Sequence, residues 1–389
     1  MERTANCLRK LERMNKALSH QEPDRVPISD SFWGGFLRRW KQEFGLAAGA
    51  DIYRYYDLDW KVTVPNMDPH IRDFEVLEQD AGQVVVRTGF GAVIQKKFEQ
   101  AMPAYLRFET GTIEKLEALQ FDGAWDERRY LRAGDNQIAG VGDGFERNSP
   151  AWLDTVKSDR PDFPVFGSVC EAHELLWRIV GSENVMYWIG EHPERLGAQI
   201  ERISEYCLDV TRAQIKAAAG LLDGMVVWGD VAYKKGMLFS PAYWRRYFKP
   251  CVKAIVDYCH EHDLKVIYHG CGNVNRIFED FAELGIDAYN PLEAKAGLDV
   301  VDLRRRFGHR IGFCGNMDVA LWANGTKEEL RAAVLTKLNA AKGGGFIFQS
   351  DHSVPSNVPP ENYEYVLNLV RKHGVYPLQL DEFDIPDLG

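Results

Sequence analysis

Between residues 163 and 350, short apolar runs alternate with amphipathic helical stretches, and this alternation restricts what the chain can fold into more than any other feature. The runs are FPVFGSV (163–169), GMVVWGD (224–230), KVIYH (265–269), IDAYNP (286–291), RIGFC (310–314) and GFIFQS (345–350). Each is short and largely apolar, as a strand covered on both faces must be. The segments between them carry apolar residues at helical spacing, for example Leu196, Ile200, Ile203, Cys207, Val210 and Ala217 after Pro193. Repeated strand-then-helix units make a mostly parallel sheet with helical crossovers. No GxGxxG or GxxxxGK[ST] turn is present, so the pattern leans to a closed α/β barrel over an open nucleotide-binding sheet.

Local signals add detail. Residues 1–22 predict an amphipathic helix built on Leu8, Leu11, Met14 and Leu18, broken by Pro23, after which RVPIS (25–29) starts an extended segment. Residues 74–108 alternate, are rich in β-branched residues and are cut by Gly82, Gly89 and Gly91, which predicts a small antiparallel hairpin set. Residues 120–165 lack periodicity and read as loops and short helices. Ser240 and Pro241 predict a helix start, Pro250 a kink, and Thr326 with Glu329 a capping box. Gly343–Gly345 precede a strand rather than a helix, so they read as a turn and not a phosphate cradle. The expectation is one barrel domain over residues 1–389, with residues 1–120 including the N-terminal helix and hairpin excursion.

Composition excludes several classes. With 45% apolar and 27% charged residues, the 389-residue chain is globular. A net charge of −10 disfavours a nucleic-acid surface. No apolar run reaches the ~18–20 residues of a membrane span, and the charged start MERTANCLRKLERMNKAL has no signal-peptide core. Seven thinly spread cysteines argue against a disulfide framework. A cytoplasmic protein is expected.

In a parallel barrel, chemistry sits at the C-terminal ends of the strands. Those ends supply Asp230, His269, Cys271, Glu293, Cys314, Asp351 and His352. His269 and Cys271 are two apart on an extended segment and so point the same way. Imidazole and thiolate together favour zinc, with Glu293 and Cys314 available to complete the shell. Asp230, Asp351 and His352 are candidates for catalysis, supporting the ligands or touching substrate. Phe32, Trp33 and Phe36, directly after the first extended segment, are candidates for an aromatic wall around a ring-shaped substrate. Cys259-His260-Glu261-His262 ends a helix, where i and i+2 face apart, and reads as a solvated helix end. DPHIRD (68–73) lacks the final glycine of a DxHxxG cobalamin signature and reads as a loop.

KALSHQEPDRVP (16–27), YHGCGNV (268–274), GIDAYNPLEAKAGLDVVDLRRRFG (285–308), FCGNMD (313–318), LWANGTKEEL (321–330) and GGGFIFQSDHSVPSNVPPENY (343–363) resemble the uroporphyrinogen decarboxylase superfamily. That resemblance implies a (β/α)8 barrel with its site at the C-terminal mouth. The superfamily contains metal-free decarboxylases and zinc methyltransferases. The decarboxylases carry an MRQAGR-type loop with two arginines, where this chain has SFWGGFLRRW (31–40), and a late GHG, where it has Asp351-His352-Ser353. The methyltransferase branch serving corrinoid proteins is the closer match. Its HxC pair and following glutamate correspond to His269, Cys271 and Glu293. Its last cysteine has no counterpart after the final strand, so Cys314 or His352 would complete the set. DHSVP (351–355) and PLEAKAGLDVV (291–301) are similar to enzymes that demethylate methoxylated aromatics. The resemblance therefore implies a zinc-dependent methyltransferase moving a methyl group between a small substrate and a corrinoid on a partner protein. The rival readings are a metal-free decarboxylase of a tetrapyrrole or other carboxylated ring, and a non-catalytic ligand-binding barrel.

Overall fold

The computed structural model describes residues 2–71, 75–100, 102–131, 151–381 and 385–388. Its centre is a seven-stranded sheet in the order β1-β6-β7-β10-β11-β12-β13, every neighbouring pair parallel. These strands are β1 (Lys61–Val62), β6 (Val165–Cys170), β7 (Gly224–Trp228), β10 (Lys265–His269), β11 (Ala288–Asn290), β12 (Gly312–Met317) and β13 (Phe346–Ser350). The RVPIS segment closes the ring. On one side Ser29 N donates to Phe348 O (3.2 Å) and Phe348 N to Pro27 O (2.9 Å); on the other Asp59 N donates to Ile28 O (2.8 Å). Ile28 thus takes the eighth position, bridging parallel to β13 beside the start of β1. The chain is a (β/α)8 TIM barrel.

The apolar runs of the sequence became these strands with small shifts at their ends. RIGFC begins two residues later and extends to Met317, because β12 stays in register with β13 from Phe313↔Phe346 to Met317↔Ser350. Residues 75–108 form the antiparallel sheet β2-β3-β4-β5 (Glu75–Gln79, Gln83–Arg87, Ala92–Lys97, Ala104–Phe108). Phe74 and Ala101 of the expected hairpin set lie outside the described residues, as does 132–150 of the expected loop region. Pro250 does more than kink its helix. The segment divides into Pro241–Tyr247 and Lys249–Glu261, with Ser240 Oγ accepting from Tyr243 N at the first start. Thr326 and Glu329 close a reciprocal capping box. Gly343, Gly344 and Gly345 have φ of 76°, 81° and 74°, so the turn before β13 needs residues without a Cβ.

Inside the barrel, Phe166, Val226, Ile267, Ala288, Cys314 and Ile347 make one packed layer with Trp60. The helix Ala5–Leu18 adds Met14 and Leu18 to that layer. Gly345 N donates to Ala17 O, so this helix plugs the end from which the strands start. The opposite end carries a small hairpin, β8 (Ala232–Tyr233) and β9 (Gly236–Met237), on the loop after β7. No helix among the described residues is long and apolar enough to cross a membrane. All seven cysteines are free.

A buried carboxylate holds the closure. Asp59 is fully buried and accepts from Arg13 Nη1 (2.5 Å), Arg25 Nη1 (2.7 Å) and Ile28 N (2.6 Å). It ties the plugging helix and the closing segment to the approach to β1. Removing one partner of such a network strands a buried charge. Asp59→Ala should therefore lower unfolding stability by about 3–5 kcal/mol, read from the urea midpoint; a loss under ~1 kcal/mol would show that the closure does not depend on it.

Candidate metal centre

β7 and β10 are neighbours in register, with Trp228 opposite His269. The residues just past their ends therefore meet. Asp230 Oδ1 accepts from Cys271 N (2.7 Å), and His269 Nε2 lies 3.8 Å from Cys271 Sγ. Asp230, His269 and Cys271 each offer a ligand atom, and these atoms lie within 4.8 Å of one another; all three residues are half-buried. In tetrahedral zinc with Zn–N of ~2.0 Å and Zn–S of ~2.3 Å, the N and S atoms stand about 3.5 Å apart. The His269–Cys271 separation is close to that.

The histidine is already oriented. Asn290 Nδ2 donates to Gln349 Oε1 (3.2 Å) and lies near Cys314 O (3.3 Å) and Sγ (3.2 Å), so its Oδ1 faces His269 Nδ1 at 2.5 Å. An acceptor there places the imidazole proton on Nδ1 and leaves the Nε2 lone pair toward Cys271, the arrangement a metal-bound histidine requires. Electrostatics agree. Burial raises the Cys271 thiol well above its ordinary value, and the Asp230 and Glu293 carboxylates push it further. Asp230 is itself raised by burial and by Glu174, and burial lowers His269. A cation held by the trio would relieve the crowding of negative groups and hold the thiol as thiolate. The residues fit zinc.

The remaining candidates divide. Glu293 stands beside the trio, its Oε2 accepting from Gly272 N (2.9 Å). His352 is half-buried, near enough for its charge to act on His269, and stacks on Trp33 with ring centroids 6.3 Å apart. Cys314 is not brought into the trio. It is fully buried in the layer of Ile267, below His269, and its Sγ donates to Gln349 Oε1 (3.0 Å). Asp351 is buried and its two oxygens accept from Ala294 N and Val319 N, so it braces two loops rather than facing the mouth. Phe36 is fully buried against Tyr363 and forms no wall of the mouth, while Phe32 is half-buried and packs on Phe36, Tyr53 and Tyr363. Aromatic residues at the site include Trp33, Trp228, whose ring is 4.6 Å from that of His269, Trp60 and Tyr53. Asp68 to Ile71 form a loop as expected, while Arg72 and Asp73 of DPHIRD lie outside the described residues. His260 and His262 sit at the helix end, paired with Asp287 and the Tyr258 carbonyl.

Beside His269 is a narrow cavity of about 20 Å³, room for about one water molecule. Its lining includes Asp30, Tyr53, Trp60, Trp228, His269, Asn290 and Gln349, with no lysine or arginine. Asp30 and Asn290 were not singled out by sequence.

Three comparisons place the chain among known proteins. A family model described as Uroporphyrinogen decarboxylase (URO-D) matches residues 151–373. A uroporphyrinogen decarboxylase of Pseudoalteromonas translucida is 29% identical over 188 residues, covering 46% of this chain and 49% of that protein. One of Shewanella halifaxensis is 25% identical over 380 residues, covering 93% and 97%. The match thus spans about half the length of the first of these relatives. A solved methyltransferase from Methanosarcina mazei superposes with a TM-score of 0.64 at 16% identity, over 93% of this chain and 98% of that one, and so shares the fold.

The loop carrying Cys271 rests on one glycine. Gly272 has φ of +87°, and a Cβ there would lie 2.6 Å from the Ala232 carbonyl carbon. Gly272→Ala should cost about 1–3 kcal/mol of stability, measured by thermal unfolding. An unchanged midpoint would mean that the 232–237 hairpin yields freely.

Proposed function

The chain belongs to the uroporphyrinogen decarboxylase family, and from that premise we propose that it is a zinc-dependent methyltransferase of the methyltransferase branch. It moves a methyl group from a small substrate, a methoxylated aromatic, to a corrinoid carried by a separate protein. The observation that carries the reading is the His269–Cys271–Asp230 trio in its acidic surround. A metal-free decarboxylase has no need of a thiol and an oriented imidazole converging with a carboxylate at its mouth.

In this reading His269 Nε2, Cys271 Sγ and an Asp230 oxygen hold the metal, and Glu293 stands ready beside it. When bound, zinc supplies a Lewis acid for the oxygen that leaves as a phenolate. Asn290 keeps the imidazole turned to the trio. Trp33 and Trp228 offer faces to an aromatic ring, and Trp33 is supported by His352. A corrinoid on a partner protein would supply the acceptor for the methyl group, and that protein would dock over the mouth; the cofactor would carry the difficult chemistry while this chain's residues supply position. The decarboxylase reading is carried by the names of the relatives. It would need cationic partners for four acetate groups, and the two-arginine loop is replaced here by SFWGGFLRRW.

Two measurements test the proposal. Protein purified without added metal should contain about one zinc per chain by elemental analysis, and Cys271→Ala should lose it. Absence of zinc with no uptake on titration sinks the mechanism. Wild type mixed with Co(I) corrinoid protein and a panel of methoxylated aromatics should produce the methyl-Co(III) spectrum, Cys271→Ala should not, and Trp33→Ala should mainly raise KM. Efficient conversion of uroporphyrinogen to coproporphyrinogen would instead establish the decarboxylase.

A further inference from the structure

Asp30 lines the same narrow cavity as His269. It ends the closing segment, is 3% exposed, and its Oδ1 accepts from Ser31 N (3.1 Å) and Ser350 Oγ. The groups around it carry no positive charge. They are Ser350 on β13, Tyr53, whose hydroxyl donates to Asp30 O (2.7 Å), Tyr363 on the helix Pro360–His373, and Cys314 on β12. Across the cavity stand His269, Asn290 and Gln349. The Asn290 oxygen faces His269, and the Gln349 oxygen already accepts from Asn290 and Cys314.

Burial without a counter-charge pushes Asp30 up to about 8, with hydrogen bonds from Ser350, Ser31 and Tyr363 opposing only in part. Near neutrality the group is a carboxylic acid, a donor in a slot the size of one oxygen-bearing substituent. A methyl group in that slot offers the acid no acceptor, whereas a hydroxyl or ether oxygen does.

The geometry points to Asp30 as a substrate-binding residue that donates a hydrogen bond to a ring oxygen entering the slot beside His269, so that the site selects oxygenated aromatics over hydrocarbon rings of the same shape. The substrate class rests on the methyltransferase reading, but the binding role does not depend on methyl transfer.

The test is calorimetric titration of the full chain with phenol and with toluene, which differ by one oxygen for one methyl. At pH 6.5 wild type should bind phenol about tenfold more tightly. That preference should fade as the pH passes about 8, while phenol itself stays neutral (a tyrosine-like hydroxyl titrates near ~10). Asp30→Leu should remove the preference. Asp30→Asn, which keeps a donor of the same shape, should retain the preference but lose its pH dependence, and it keeps the test decisive if the leucine variant does not fold. Equal binding of the two rings by wild type, no detectable phenol binding, or an Asn variant that follows the wild-type pH profile overturns the assignment. A clear phenol preference without demethylation of any methoxylated ring leaves Asp30 its role and refutes the methyl-transfer reading. Demethylation that is indifferent to Asp30→Asn and Asp30→Leu does the reverse.

Discussion

The buried Asp59 carboxylate is the constraint on which the site depends. A parallel sheet has two free edges until its first and last strands meet. Here the meeting is made by a segment too short to count as a regular strand, and Asp59 secures it with Arg13, Arg25 and the Ile28 amide. Because Ile28 sits between β13 and the approach to β1, Asp30 falls opposite Ser350 and into the cavity shared with His269. The position of a chemical group at the mouth thus follows from an ion network on the outside of the strand ring.

Above that frame, the mouth is organised by side chains that hold backbone. Asp230 receives the Cys271 amide, Glu293 the Gly272 amide, and Asp351 the amides of Ala294 and Val319. Each carboxylate ties the end of one strand to the loop after another. The loops that follow β7, β10, β11 and β12 are therefore linked through these acids, and a ligand engaging one of them acts on a connected set. The cost is a concentration of negative charge around a single thiol, which a bound cation would offset.

Periodicity made the barrel legible, since strand and helix alternate at different periods and leave few other ways to bury both faces. The His269–Cys271 pair was legible for the same reason: two residues apart on extended chain means one direction. Cys314 shows where that reasoning stops. Its strand and its inward direction are readable from the run RIGFC, but its depth depends on the stagger between β11, β12 and β13, which puts it level with Ile347, three residues below Ser350. Asp230 stands within reach of His269 and Cys271 because β7 and β10 share register, a fact of pairing that no single run contains. Phe36 carries the composition of a substrate wall and the position of a core residue. Asp30 looked like any acid after an extended segment. Its burial is decided by residues on β13 and on the helix that follows it.

Ser350 lies 320 residues beyond Asp30. During synthesis on the ribosome, the segment that completes the ring emerges about 320 residues ahead of the strand it pairs with. Until β13 is made, the edge of β12 and the closing segment both lack their neighbours, and such edges invite pairing with other chains. The contact that closes the barrel is also a slow one to reach, because so long a loop must be shut to make it. The plugging helix, which covers the layer around Trp60 from the start-of-strand end, is present through that whole interval. It gives the growing sheet an apolar surface of its own chain to collapse on before the ring can shut.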